Sequence, residues 1–125
     1  MINEINTISS WKVLNEEKTR EILTSLLKTK GVQLAMASTI LRFRNPNIFQ
    51  IIDQRAYRVI KGEPLKLSQI KETSRDETIQ KQINIYLKYL EKIREKCKKL
   101  DVDFYDLDRV LYIIDRKINK SVKIK

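Results

Sequence analysis

Apolar residues recur three and four positions apart along nearly the whole chain, the period of helices with one buried face, and no stretch alternates as a strand would. A first helical piece centres on Ile5, Ile8 and Trp11. A second opens near Asn15, a residue suited to an N-cap, turns Ile22, Leu23, Leu26 and Leu27 inward, and stops at Gly31. A third is expected from about Val32 to Phe43, with Leu34, Ala37, Ile40 and Leu41 on its inner face. Asn45-Pro46-Asn47 breaks it, because proline disfavours helical geometry in the residue before it and brings no N–H to a continuing ladder. A fourth helix carries Ile52, Ala56, Val59 and Ile60 and ends at Gly62-Glu63-Pro64. After an unassigned segment from Leu65 to Glu72, Ser74-Arg75-Asp76-Glu77 reads as a capping box. It opens the longest helix, whose stripe of Ile79, Ile83, Tyr86, Leu87, Leu90, Ile93, Cys97 and Leu100 keeps the same spacings. Asp101-Val102-Asp103 is the next loop, and a last helix holds Leu107, Val110, Leu111, Ile114 and Ile118. The expected fold is all-α, a compact multi-helix orthogonal bundle.

Two glycines and two prolines leave little punctuation, and there is no repeat, low-complexity tract or linker-like stretch, so residues 1–125 are expected to form a single helical domain. A chain of this length buries roughly two-thirds of the surface it exposes when unfolded, enough for one core without staples. Composition then removes chemistry. Cys97 is the only cysteine, which excludes an internal disulfide and a cysteine metal cluster and fits a reducing compartment. The absence of histidine excludes His-based acid–base work, Ser-His and Cys-His nucleophiles and His-ligated zinc. Neither a metal nor a cofactor is called for. The N-terminal MINEINTISSWK is polar and no apolar run reaches membrane-span length, so a cytoplasmic protein with no membrane partner is expected.

Twenty-six Lys and Arg against sixteen Asp and Glu give a net charge of +10, which attracts polyanions and favours nucleic acid as the partner. The excess is local as well. Between Ile22 and Gly62 stand Lys28, Lys30, Arg42, Arg44, Arg55, Arg58 and Lys61, with Asp53 as the one acid. Neighbouring cations favour the ionised form of such a carboxyl, while an ordinary helix N-cap or a pairing with one arginine also accounts for an aspartate there. Residues 116–125 hold five basic residues and no acid, a basic tail.

Gly31-Val32-Gln33-Leu34-Ala35-Met36-Ala37 and Ile51-Ile52-Asp53-Gln54-Arg55-Ala56-Tyr57-Arg58-Val59 together resemble the centre of the helix-hairpin-helix DNA glycosylase superfamily. That family carries a Gly-Val-Gly hairpin, a lysine two places on in many members, and an aspartate opening the next helix in a pattern like Val-Asp-Thr-His-Val-x-Arg-Val. The two blocks fall in register without a gap, eighteen positions separating Ala35 from Asp53. The resemblance covers about 29 of the 125 residues. It implies that Gly31, Val32 and Gln33 cradle a DNA phosphate with their amides, assisted by Lys28, Lys30, Arg42, Arg44, Arg55 and Arg58. It also implies that Asp53 is a catalytic carboxylate, stabilising positive charge on the sugar as a flipped-out base departs, with Tyr57 lining the base pocket. Ala35 stands where bifunctional members have their Schiff-base lysine, which leaves monofunctional base excision by water. Gln33 replaces the second hairpin glycine, so a turn demanding positive φ there would be strained.

Other features read as structure. Trp11, Tyr86, Tyr89, Tyr105 and Tyr112 have the spacing and company of core or surface aromatics. The run Glu91-Lys92-Ile93-Arg94-Glu95-Lys96 reads as a solvated helix face of paired charges. Asp101, Asp103, Asp106 and Asp108 lack the glycine of a calcium loop and suit helix capping before Leu107. Two readings without catalysis stand beside the glycosylase-like one. In one, a helical module of phage or mobile-element type binds nucleic acid or protein and keeps only the scaffold. In the other, a structural domain offers the helix from Arg75 to Leu100 to a protein partner.

Overall fold

The computed structural model describes residues 7–67, 75–101 and 103–106, and every regular element within them is helical. The helices are α1 (Glu16–Lys28), α2 (Leu34–Arg44), α3 (Gln54–Lys61) and α4 (Arg75–Leu100), with 3-10 turns at Ile8–Ser10 and Phe104–Asp106. Asn15 opens α1 by accepting from the Lys18 N–H at 3.0 Å, and Glu16 and Glu17 add negative charge to the first turn, where the helix dipole favours it. Gly62 closes α3 in the left-handed region, at φ 74, which glycine adopts without a Cβ penalty.

α4 is the spine. It packs against α1 on one flank and α3 on the other, and α1 in turn packs on α2. Ten residues of α4 are buried in the domain, while Leu100 at the end of its apolar stripe is exposed. Buried residues of all four helices, together with Ile8, Phe49 and Ile52, form one continuous cluster. Polar bonds stitch the α1–α4 seam, where Arg20 donates to Asn84 Oδ1 at 2.6 Å and Gln80 donates to Thr24 Oγ1 at 3.0 Å.

The segment from Asn45 to Asp53 has no regular structure and is nevertheless buried at Asn45, Ile48, Phe49, Gln50 and Ile52. Its backbone polar groups must therefore find partners inside the protein. Tyr86 and Tyr89 of α4 donate their hydroxyls to the Gln50 and Ile51 carbonyls at 2.8 and 3.1 Å. The Ile52 N–H donates to Ser38 Oγ at 3.0 Å, and Asn45 Nδ2 donates to the carbonyls of Ile8 and Trp11 at 3.0 and 2.9 Å.

The described part of the first helical piece is helical at Thr7 and a 3-10 turn over Ile8–Ser10, ending where Ser10 Oγ donates to the Thr7 carbonyl and Trp11 is extended, and Ile5 lies outside the described residues. Two expectations change. α2 begins at Leu34 rather than Val32, whose N–H closes a turn onto the Thr29 carbonyl at 3.1 Å. Ile52 precedes α3 because its amide is given to Ser38. The last helix, the 116–125 tail and the Ser74 cap lie outside the described residues. No described helix is long and apolar enough to cross a membrane.

Asn45 is 4% exposed and satisfies three backbone groups with one amide, the third being the Asn47 N–H at 3.2 Å. Asn45→Ala strands the Ile8 and Trp11 carbonyls, and a loss of about 2–4 kcal/mol is expected in urea unfolding. A loss under about 0.5 kcal/mol, the size of a surface effect, would show that the N-terminal turn is not held this way.

Candidate nucleic-acid interface

Residues 29–33 join α1 to α2 in a tight hairpin. Gly31 is exposed at φ 85, so the left-handed residue of the turn is a glycine with open space where a Cβ would stand. Gln33 is extended at φ −103, and the strain expected there does not arise, because Gly31 alone supplies the positive φ. As N-cap of α2, Gln33 makes no side-chain cap, and the first turn holds no acid. The opening amides of α2 have no partner one turn earlier in the helix, as at any helix start. Lys28 and Lys30 flank this end and are exposed. Lys28 Nζ lies 3.4 Å from Asp76 Oδ1, an exposed pair of little energetic weight. Arg75 donates to the Lys28 carbonyl, tying the start of α4 to the hairpin. Val32 is half-buried against the core with its N–H committed to Thr29, so of the three hairpin residues it is the one engaged inward.

After Asn45 the chain runs back along α2 as far as Ser38, where Ile52 is bonded. Ser38, which receives the Ile52 N–H, lies five residues into α2 from Gln33, about 7 Å of helix rise. Asp53 is extended, exposed, and caps α3 by accepting from the Ala56 N–H at 2.8 Å. One turn on, half-buried Tyr57 stacks on Tyr89 with ring centroids 5.9 Å apart and planes 26° apart. Burial raises the Tyr89 hydroxyl pKa well above its ordinary value, and the negative charge of Asp53 raises it further. Burial, then Tyr89, raise Tyr86 likewise. Tyr89 is the neighbour that sequence reasoning missed. Its place three residues from Tyr86 on an apolar helix looks like plain core.

The arginines divide into two groups. Arg55 and Arg58 are exposed on α3, close in sequence to Asp53. Arg42 and Arg44 stand at the other end of α2, about 15 Å of rise from Gln33. Arg42 donates to the Tyr105 carbonyl at 3.1 Å and lies over that ring at 5.3 Å, holding the 3-10 turn at Phe104–Asp106. Arg44 lines a shallow cavity of about 420 Å³ with Thr39, Ile40 and Phe43. Lys28, Lys30, Gly31 and Gln33 thus lie together at the hairpin end of α2, Asp53 follows the segment bonded to Ser38 within α2, and Arg42 and Arg44 lie at its far end.

No protein-family model, curated protein or solved structure matches this chain, so the chemistry of the site rests on its own residues.

The two raised tyrosines give a pH test. Unfolded tyrosine ionises near pH 10, while Tyr86 and Tyr89 keep their protons beyond that in the folded chain. Above about pH 10 the unfolded state therefore binds fewer protons, and stability falls as pH rises, by about 1.4 kcal/mol per pH unit for each. Denaturant unfolding between pH 9 and 11 should show a shallower fall in Tyr86→Phe and in Tyr89→Phe than in the native chain. Equal slopes in all three proteins would contradict the burial of these hydroxyls.

Proposed function

We propose that this chain is a DNA-binding domain of helix-hairpin-helix glycosylase type, which holds duplex phosphates at the Gly31 turn and excises a flipped-out base monofunctionally with Asp53. The observation that carries the reading is the placement of Asp53. The single acid between Ile22 and Gly62 is exposed and fixed by its cap to Ala56, and the residue before it is bonded to Ser38 within α2. Arg55 and Arg58 follow it on α3 and Lys28 and Lys30 flank the Gly31 turn to attract phosphate, with Tyr57 stacked on Tyr89 as an aromatic wall for an extruded base.

In this reading the bond between C1′ of the deoxyribose and the base nitrogen breaks, and the base leaves with the bonding electrons and takes up a proton. Positive charge builds on the sugar ring, and the fixed Asp53 carboxylate stabilises it. Water adds its oxygen to C1′ and releases its proton to solvent, leaving an abasic sugar. Ala35 offers no amine, so the phosphodiester strand stays intact after excision. A binding-only module is favoured by one observation: the Asp53 oxygen is already occupied by the Ala56 N–H, a use that needs no chemistry.

Asparagine caps helices as well as aspartate, so Asp53→Asn removes charge while leaving the fold. Incubated with duplexes carrying damaged or modified bases and then treated with alkali, the native chain should generate breaks on at least one duplex. Asp53→Asn should lose at least about a hundredfold in rate, the scale for removing one electrostatic stabiliser, with duplex affinity retained. DNA binding without abasic sites on any duplex would leave the binding module. Absence of salt-sensitive binding would overturn the DNA reading itself.

A further inference from the structure

Beyond Leu87, α4 carries an excess of positive charge. Between Leu87 and Leu100 stand six Lys and Arg and two acids, Glu91 and Glu95. The two glutamates are four apart and share one edge of the helix. Lys92, Lys96 and Lys99, spaced by four and three, share the adjoining edge and continue the line that begins at Tyr89, three residues before Lys92. Lys92 and Lys96 are half-buried at the rim of the packed surface, and Lys99 is exposed. One exposed contact, Lys92 Nζ to Glu95 Oε2 at 3.6 Å, crosses between the edges and contributes little. Tyr89 is the ring on which Tyr57 stacks and whose hydroxyl is bonded to the Ile51 carbonyl, two residues before Asp53. The lysine line therefore starts at the candidate site and leads away from it along the rigid spine of the fold.

We propose that Lys92, Lys96 and Lys99 form a second phosphate track, which takes the sugar–phosphate backbone of duplex DNA as it leaves the site at Asp53. This inference rests on the DNA reading above and adds a binding surface on a different helix from the hairpin. Seven residues of helix span about 10 Å, and one strand of a duplex presents a phosphate about every 3.4 Å of axial rise, so the three ammonium groups face about three phosphates. A line of point charges on flexible stems suits a backbone that offers charge at regular intervals without requiring one sequence. A single small anion would need converging donors, which a straight line of lysines does not provide.

The test is the salt dependence of duplex binding by the full chain, comparing the native protein with Lys92→Gln/Lys96→Gln/Lys99→Gln. Each phosphate contact contributes about 0.9 to the slope of log affinity against log salt, so the triple variant should lose about 2.7 from the native slope. Its affinity at low salt should fall at least tenfold. A charge control, Lys12→Gln/Lys18→Gln, on exposed residues before and within the first turn of α1, should keep the native slope. If the native chain binds and the triple variant keeps its slope, the track is wrong and the DNA reading survives. If the native chain shows no salt-sensitive binding, both fall. Equal slope losses in the triple variant and the control would also overturn the track, since net charge rather than position would then govern binding.

Discussion

The Asn45 side chain is the constraint on which the remaining arrangement depends. α2 ends there, with the Asn45 N–H still bonded to the Leu41 carbonyl, while its own carbonyl receives the Ile48 and Phe49 amides. Its side-chain amide simultaneously holds the N-terminal turn through Ile8 and Trp11. An irregular, buried segment is costly unless its polar groups are met, and this one amide meets the first of them. Pro46 then prevents the helix from continuing, so the chain has to reverse and run back along α2.

Along the return path, side chains bond to backbone one after another. Ser38 takes the Ile52 amide, Tyr86 and Tyr89 fill the carbonyls of Gln50 and Ile51, and Gln50 donates to the Phe104 carbonyl. Beyond α3, Gln54 accepts from the Leu65 N–H at 2.9 Å and donates to the Leu65 carbonyl, pinning the chain after Gly62 back on the helix start. Each such bond adds about 1 kcal/mol net, yet losing one partner exposes the larger penalty of a buried orphan. The segment around Asp53 is thus positioned by side-chain bonds to its backbone as well as by the buried Phe49 and Ile52, while α1 and α4 are regular helices packed along apolar faces.

This division explains what the sequence could and could not convey. α1, α4 and the ends at Asn15 and Gly62 were legible because their causes are local: spacing of apolar residues, a capping side chain, a glycine at positive φ; α1 itself stops at Lys28, with extended Thr29 as its C-cap, before Gly31 is reached. Trp11 has helical spacing from Ile8 too, but the Ser10 hydroxyl and an extended Trp11 end the 3-10 turn, and spacing is blind to that competition. Ile52 fits the α3 stripe, but its amide has a partner fourteen residues away. Arg42 and Arg44 look alike in sequence, yet two positions on a helix turn them about 200° apart, one onto Tyr105 and the other onto an open cavity. For the candidate site, the hairpin and Asp53 were legible, and Tyr89 was not, because its relation to Tyr57 and Asp53 is a product of tertiary packing.

The Ser38 hydroxyl does two jobs at once. It donates to the Ala35 carbonyl at 2.8 Å and accepts from the Ile52 N–H at 3.0 Å. A single oxygen is therefore wired in series between the first turn of α2 and the main chain one residue before Asp53. The connection is short and direct, with no long side chain in it to absorb play. The backbone entering the Asp53 cap is thereby fixed in register with the start of α2.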